Sequence, residues 1–209
     1  IPYLQKQLFV PQLAVGRLVE TQAQITGALD RFVAFGGDLD PASARTTGYD
    51  FLKDGAADVA AAFAGIVGAQ QPATNPPLIG DLWTSTTLQG ALSTTTGLFG
   101  MNGHADHHRL QPAAGSGLFS AANLPASLQR AVVFSMGCHS ALSVSDAAVA
   151  QAIDWPQTYA GKGAAAYAGN LGFGYGDSVT VAYSEALNVR LAQGLRNGLP
   201  IGEALVEAK

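Results

Sequence analysis

The stretch "RAVVFSMGC", residues 130–138, decides the fold. Ala131 to Phe134 form a short apolar run rich in β-branched and aromatic side chains, which reads as a fully buried strand. Ser135-Met136-Gly137 carries the chain out of it to Cys138, the single cysteine of the sequence. A cysteine that only fills core volume needs no glycine before it. A nucleophile at the exit of a strand needs exposure and a base close by.

Upstream, "TGLFGMN" (96–102) reads as a second buried strand, and it runs into "MNGHADHHRL" (101–110) with His104 at its exit. His104 and Cys138 are 34 residues apart (138 − 104), room for a connection with a short helical piece and a return strand. In an open parallel sheet, sites form beyond the carboxyl ends of the strands. If these two strands are neighbours, an imidazole and a thiol come out side by side.

The rest of the chain alternates in the same way. A strand is expected over 12–20 and a second over 43–51. Thr21 is positioned to cap a helix through about Phe35, with Ile25, Leu29, Phe32 and Val33 on one face and Gly36-Gly37 as its stop. Further helices are expected over 54–67, 84–92, 145–153 and 178–195, the last stopped by Asn197-Gly198, and another begins at Ile201. "GAAAYAGN" (163–170) reads as a strand, and 70–77 and about 103–126 as loops. Alternation of this kind predicts a three-layer α/β/α sandwich around a mostly parallel sheet, in one domain spanning 1–209.

With 48% hydrophobic and 12% charged residues, the chain is no candidate for disorder. Its net charge of −4 carries no basic stripe, which argues against nucleic acid as a partner. No apolar run is long enough to span a bilayer. One cysteine allows no internal disulfide and leaves the compartment open. Ile1 in place of a start methionine reads as a mature, processed or excised piece of a longer protein.

Several residues admit a plainer reading. Cys138 can be a small buried hydrophobe, and His104 alone a surface-loop histidine. "HADHH" also offers a metal reading. His104, His107 and His108 fall at i, i+3 and i+4 of a helix, with Cys138 and His139 to complete a zinc site. Arg109 directly after them weighs against it, and no metal is expected. Glycines 169, 172, 174 and 176 match no nucleotide-binding pattern.

Taken together, "GLFGMNGHAD", a spacer and "RAVVFSMGC" resemble the pattern of the caspase–gingipain clan of cysteine peptidases: apolar block, His-Gly, spacer, apolar block, Gly-Cys. Within the clan the chain most resembles the gingipain family. "LAVGRLVET" (13–21), "TGYDFLKDGAADV" (47–59) and "GKGAAAYAGNLGFGYGDSVTVAYSEAL" (161–187) resemble its other segments in the right order. The resemblance covers most of the chain and spans the family's second catalytic subdomain.

It implies a caspase/gingipain-like fold and a cysteine endopeptidase with Cys138 as nucleophile and His104 as general base. The N–H groups of Ala105 and Cys138 would stabilise the oxyanion. Asp50 falls where arginine-selective members hold the carboxylate that pairs with a basic P1 residue. Tyr175 falls at an aromatic wall of that pocket, and Asp177 adds negative charge there. Asp50 also suits capping of the helix that follows, and Asp177 suits the N-cap of the 178–195 helix, the role preferred for it. The resemblance implies protein or peptide substrates, other domains on a longer chain, a secreted or cell-surface setting in bacteria, and no required cofactor, with structural calcium compatible. The chain departs from the pattern at Ala105, where the clan has glycine, and shows no clear counterpart of the acid that orients the histidine. Asp106 or another carboxylate is a candidate for that role. An inactive gingipain-like binding or assembly module is the alternative reading.

Overall fold

The computed structural model describes residues 2–3, 6–7, 11–39, 41–94, 96–145 and 153–209. In chain order the elements are β1 (Pro2–Tyr3), β2 (Lys6–Gln7), α1 (Gln22–Phe35), β3 (Ala44–Thr47), α2 (Lys53–Ala64), α3 (Ser85–Leu92) and β4 (Leu98–Met101). There follow β5 (Arg109–Leu110), β6 (Phe119–Ser120), β7 (Val132–Ser135), α4 (Trp155–Gly161), β8 (Ala166–Ala168), α5 (Tyr183–Arg196) and α6 (Ile201–Ala208).

The central sheet has the order β3-β4-β7-β8 and is parallel throughout. Along β4 and β7 the side chains alternate between two cores, the period-2 rule of a strand buried on both faces. Phe99, Met101 and Val133 pack with Trp83, Leu88, Leu92, Trp155 and Tyr159 on the side of α3 and α4. Leu98, Val132 and Phe134 pack with Val59, Phe63, Val189, Leu191 and Ala204 on the side of α2, α5 and α6. Helices thus cover both faces, and the architecture is the expected α/β sandwich with a mostly parallel sheet.

Thr21 caps α1 as read from the sequence. Its hydroxyl accepts from Gln24 N (3.3 Å), and Gln24 Oε1 accepts from Thr21 N (2.9 Å). Gly36 closes the helix at φ 64°, a conformation that favours glycine. The apolar face of α1 is not buried, however. Leu29, Phe32 and Val33 stay 49%, 64% and 76% exposed.

Other expectations are corrected. Residues 12–20 join no sheet, with Leu13 and Val15 79% and 86% exposed. They line a cavity beside β8 rather than hydrogen-bonding to it as a ladder. The stretch expected as a loop over 103–126 holds the β5–β6 pair. The helix expected over 145–153 falls mainly on 146–152, outside the described residues. α4 starts instead at Trp155, where the Asp154 carboxylate accepts from Gln157 N (2.9 Å) and Pro156 fits the first turn. Among the described residues no helix is long and apolar enough to cross a membrane.

Candidate active site

Four parallel strands end on one edge, and each is followed by a segment of interest. β3 leads to Gly48-Tyr49-Asp50-Phe51, β4 to Asn102-Gly103-His104, β7 to Met136-Gly137-Cys138, and β8 to a glycine-rich loop over 169–176. Met101 and Ser135 are register partners across β4 and β7. His104 and Cys138 are each the third residue after them.

The exits are held together by short contacts. Thr47 Oγ1 donates to Asn102 O (2.9 Å) and accepts from Asn102 N (3.0 Å). Asn188 on α5 donates to Asn102 Oδ1 (3.4 Å). A Cβ on Gly137 would lie 2.6 Å from Ala105 Cβ and 3.0 Å from Gly103 O. Only glycine permits that approach, which sets the residue before Cys138 against both neighbours of His104.

His104 is exposed and bracketed by aromatic rings. Its N–H donates to the Tyr49 hydroxyl (3.3 Å). The rings of Tyr49 and Phe51 stand edge-on to the imidazole at 5.9 and 5.8 Å between centroids. Burial pushes the Tyr49 phenol above its ordinary range, the Asp50 charge adding to the effect, so Tyr49 stays protonated.

Ala105 pairs with Leu110 in a tight hairpin whose bonds run from Asp106 N to Arg109 O (2.9 Å) and from Gln111 N to His104 O (2.8 Å). That pattern leaves the Ala105 N–H outside the ladder.

Cys138 is half-buried, with its thiol 3.7 Å from Gly174 O as donor. The turn around it is braced from β8 and the loop that follows. Asn170 Nδ2 donates to Met136 O (2.7 Å), His139 N donates to Gly172 O (2.6 Å), and the Tyr167 hydroxyl donates to Ser140 O (2.8 Å). His139 adopts φ 52° and turns its ring to Leu171 O (3.2 Å) and Phe173.

Asp50 is exposed at φ 53°. Its N–H donates to Asp81 Oδ1 (3.0 Å). It caps no helix: neither the 3₁₀ turn over 50–52 nor α2 has a side-chain cap. Its place is between the two aromatic residues that hold His104.

Tyr175 is 63% exposed and pinned through its backbone to Ser184. It lies between Gly174, which faces the thiol, and Gly176, where a Cβ would come 2.8 Å from the Phe51 ring. The loop therefore links the Cys138 side of the edge to the Asp50 side.

Asp177 does not cap the long helix, which begins later, at Tyr183 after Ala182. Asp177 Oδ1 instead accepts from Val179 N (2.8 Å) and Thr180 N (3.0 Å), a local Asx-type turn that competes with helix formation. Asp106 does not reach the His104 ring either. Its carboxylate is occupied by His108 N, Arg109 N and the Arg109 guanidinium. Among the described residues no carboxylate bonds the His104 imidazole.

The zinc reading of "HADHH" with Cys138 and His139 is not assembled. The segment is a turn rather than a helix. Among the described residues the one group of three with metal-ligand spacing is Asp106, His107 and His108.

One residue the sequence reading missed is Glu185. It is 1% exposed, accepts from Asp177 N (2.9 Å) through Oε2, and has no partner for Oε1. Burial, with the charges of Asp54 and Asp177, pushes its carboxyl above the ordinary range. Its spacing with Asn188, Val189 and Ala192 on the inner face of α5 was the available signal.

Comparison with solved structures gives the fold. The chain is similar to the Arg-specific cysteine proteinase gingipain R (RgpB), with a TM-score of 0.64 and 11% identity over 95% of this chain and 49% of that one. It is similar also to a complex of the pro- and mature domains of Porphyromonas gingivalis RgpB, at 0.63 and 13% over 95% and 50%. The chain thus spans about half the length of these neighbours. No protein-family model and no curated protein matches it. At such identities the likeness establishes the fold alone, caspase/gingipain-like.

Proposed function

We propose that the protein is a cysteine endopeptidase in which Cys138 is the nucleophile and His104 the general base. The observation that carries this reading is the matched exit of the two from register-paired neighbouring strands, closed by the contact of Gly137 with Gly103 and Ala105. Exit of the two residues from neighbouring strands on one sheet edge supports the reading, since thiol catalysis needs a base beside the nucleophile.

His104 takes the thiol proton, and the thiolate attacks the carbonyl carbon of the scissile peptide bond. The Ala105 N–H, outside the hairpin ladder, and the Cys138 N–H are the donors assigned to the oxyanion. Collapse of the tetrahedral species breaks the C–N bond, and the imidazolium returns its proton to the leaving amine. Water then adds to the thioester with His104 as base, releasing the acid and restoring the thiol. One water is consumed, and no cofactor enters the chemistry. Asp50 and Tyr175 are assigned to the P1 pocket. A carboxylate there favours an arginine side chain through a bidentate pair. Asp177 is spent on its own turn and contributes to the pocket only through field. The reading carries with it protein or peptide substrates and a secreted or cell-surface setting.

The second reading, an inactive module on the same fold, is favoured by Ala105 at the clan's glycine position and by the absence of a carboxylate on the His104 ring among the described residues. Fold alone does not decide between them. Cleavage of fluorogenic peptides with Arg, Lys, Asp or Leu at P1 does. The peptidase reading predicts turnover that Cys138→Ala abolishes and that His104→Ala lowers by roughly 10²- to 10⁴-fold. Absence of turnover on a folded protein with every substrate favours the module.

A further inference from the structure

The hairpin that carries His104 continues into a cluster the peptidase chemistry does not use. We propose that Asp106, His107 and His108 form a binding site for a divalent first-row transition-metal ion of the zinc, nickel and copper class.

The ligand atoms of the three residues all lie within 4.8 Å of one another. His107 Nε2 and His108 Nδ1 are 3.0 Å apart. His108 Nδ1 is 3.3 Å from Asp106 Oδ1. Metal–nitrogen bonds of ~2.0–2.1 Å place two adjacent ligand nitrogens about 2.9–3.4 Å apart, from octahedral to tetrahedral angles. The two nitrogens fall in that window, the Asp106 oxygen is similarly close to His108, and all three ligand atoms lie within 4.8 Å of one another. At 3.0 Å the two ring nitrogens face each other, and a metal ion seated between them replaces that contact.

The turn is built before any ion arrives. Trp155, 0% exposed, donates through its indole N–H to Asp106 O (2.9 Å) and through its backbone N–H to His107 O (2.8 Å). The Ala105–Leu110 pair closes the hairpin beneath. Arg109 holds Asp106 by Oδ2, through Nε (2.8 Å) and Nη2 (2.6 Å). Oδ1, which faces His108, also accepts from His108 N (3.0 Å) and Arg109 N (2.7 Å). Each oxygen thus holds two donors, so an ion gains the Asp106 ligand by displacing a backbone N–H from Oδ1. Two imidazoles with one carboxylate suit zinc, nickel or copper(II) rather than magnesium or calcium. Three ligands leave at least one coordination position open to water. The nearby Arg109 charge opposes the ion, which sets the expected affinity at micromolar rather than tighter. Gln111 N donates to His104 O (2.8 Å) from the same hairpin, so an ion seated there lies one turn from the imidazole of the proposed dyad.

The test is titration of the purified chain with zinc chloride and nickel chloride, with magnesium chloride as control, by calorimetry and by competition with a chromophoric chelator. One ion per chain with micromolar Kd and no magnesium binding is expected. His107→Gln and His108→Gln should each weaken binding by more than the roughly tenfold cost of losing a supporting group. The double variant should abolish it. A variant with both His104→Ala and Cys138→Ala should bind as the parent does. Thermal unfolding of every variant verifies that it is folded. Binding that survives His107→Gln/His108→Gln, binding lost with the His104/Cys138 pair, or no saturable binding would each overturn the proposal.

Discussion

Gly137 and Ala105 are in contact across the exits of β7 and β4, so close that a Cβ on Gly137 would sit 2.6 Å from the alanine's own. Each adjoins a residue of the proposed dyad. Because Met101 and Ser135 are in register, this contact sets how closely the two turns approach, one carrying His104 and the other Cys138.

Gly137→Ala is therefore expected to push the turns apart. Forcing a methyl into a packed site typically costs about 1–3 kcal/mol. Urea unfolding measures the loss. An unchanged midpoint would mean that the turns part freely and that the contact does not set the geometry.

Asp50 stands between Tyr49 and Phe51, whose rings hold His104, and its carboxylate is the charge assigned to a basic P1 side chain. Loss of a charged hydrogen-bonded partner corresponds to roughly 10- to 100-fold. Asp50→Asn should lower kcat/KM for P1-Arg peptides by that factor and leave P1-Leu peptides unaffected. A parallel fall for both would remove Asp50 from specificity and leave it a structural residue of the turn.

The sheet was legible because its strands obey simple rules. Apolar runs at 98–101 and 132–135 are buried on both faces, and Thr21 with Gly36 marks both ends of α1. The convergence of His104 and Cys138 on one edge follows from strand order alone. What failed rests on local competition that a pattern does not show. Asp177 fits a helix cap, yet its carboxylate closes its own turn and delays α5 to Tyr183. Asp106 fits an orienting acid, yet Arg109 and two backbone N–H groups take it. The apolar stripe of α1 predicts a buried face, and the described residues leave it open.

Glu185 gives a pH signature. Burial raises its folded pKa above the unfolded value, and the Asp54 and Asp177 charges that face it act in the same direction. The neutral form therefore suits the native state, and its stabilising contribution is fully present below the unfolded pKa. It is lost as pH rises through the folded pKa. Glutamine keeps an acceptor for Asp177 N and cannot ionise. Relative to the parent, Glu185→Gln should gain stability between pH 4 and neutral, read by urea unfolding at steps across that range. A difference that stays constant, or shifts toward the parent as pH rises, would show that the carboxyl ionises at no cost.

The most direct test of the central claim is covalent labelling of the folded protein by a peptidyl acyloxymethyl ketone with Arg at P1, with the adduct located by mass spectrometry. Modification at Cys138 is expected, lost in His104→Ala and reduced in Asp50→Asn. Labelling of Cys138 that is indifferent to His104, or no labelling with Arg, Lys, Asp or Leu probes, would contradict it.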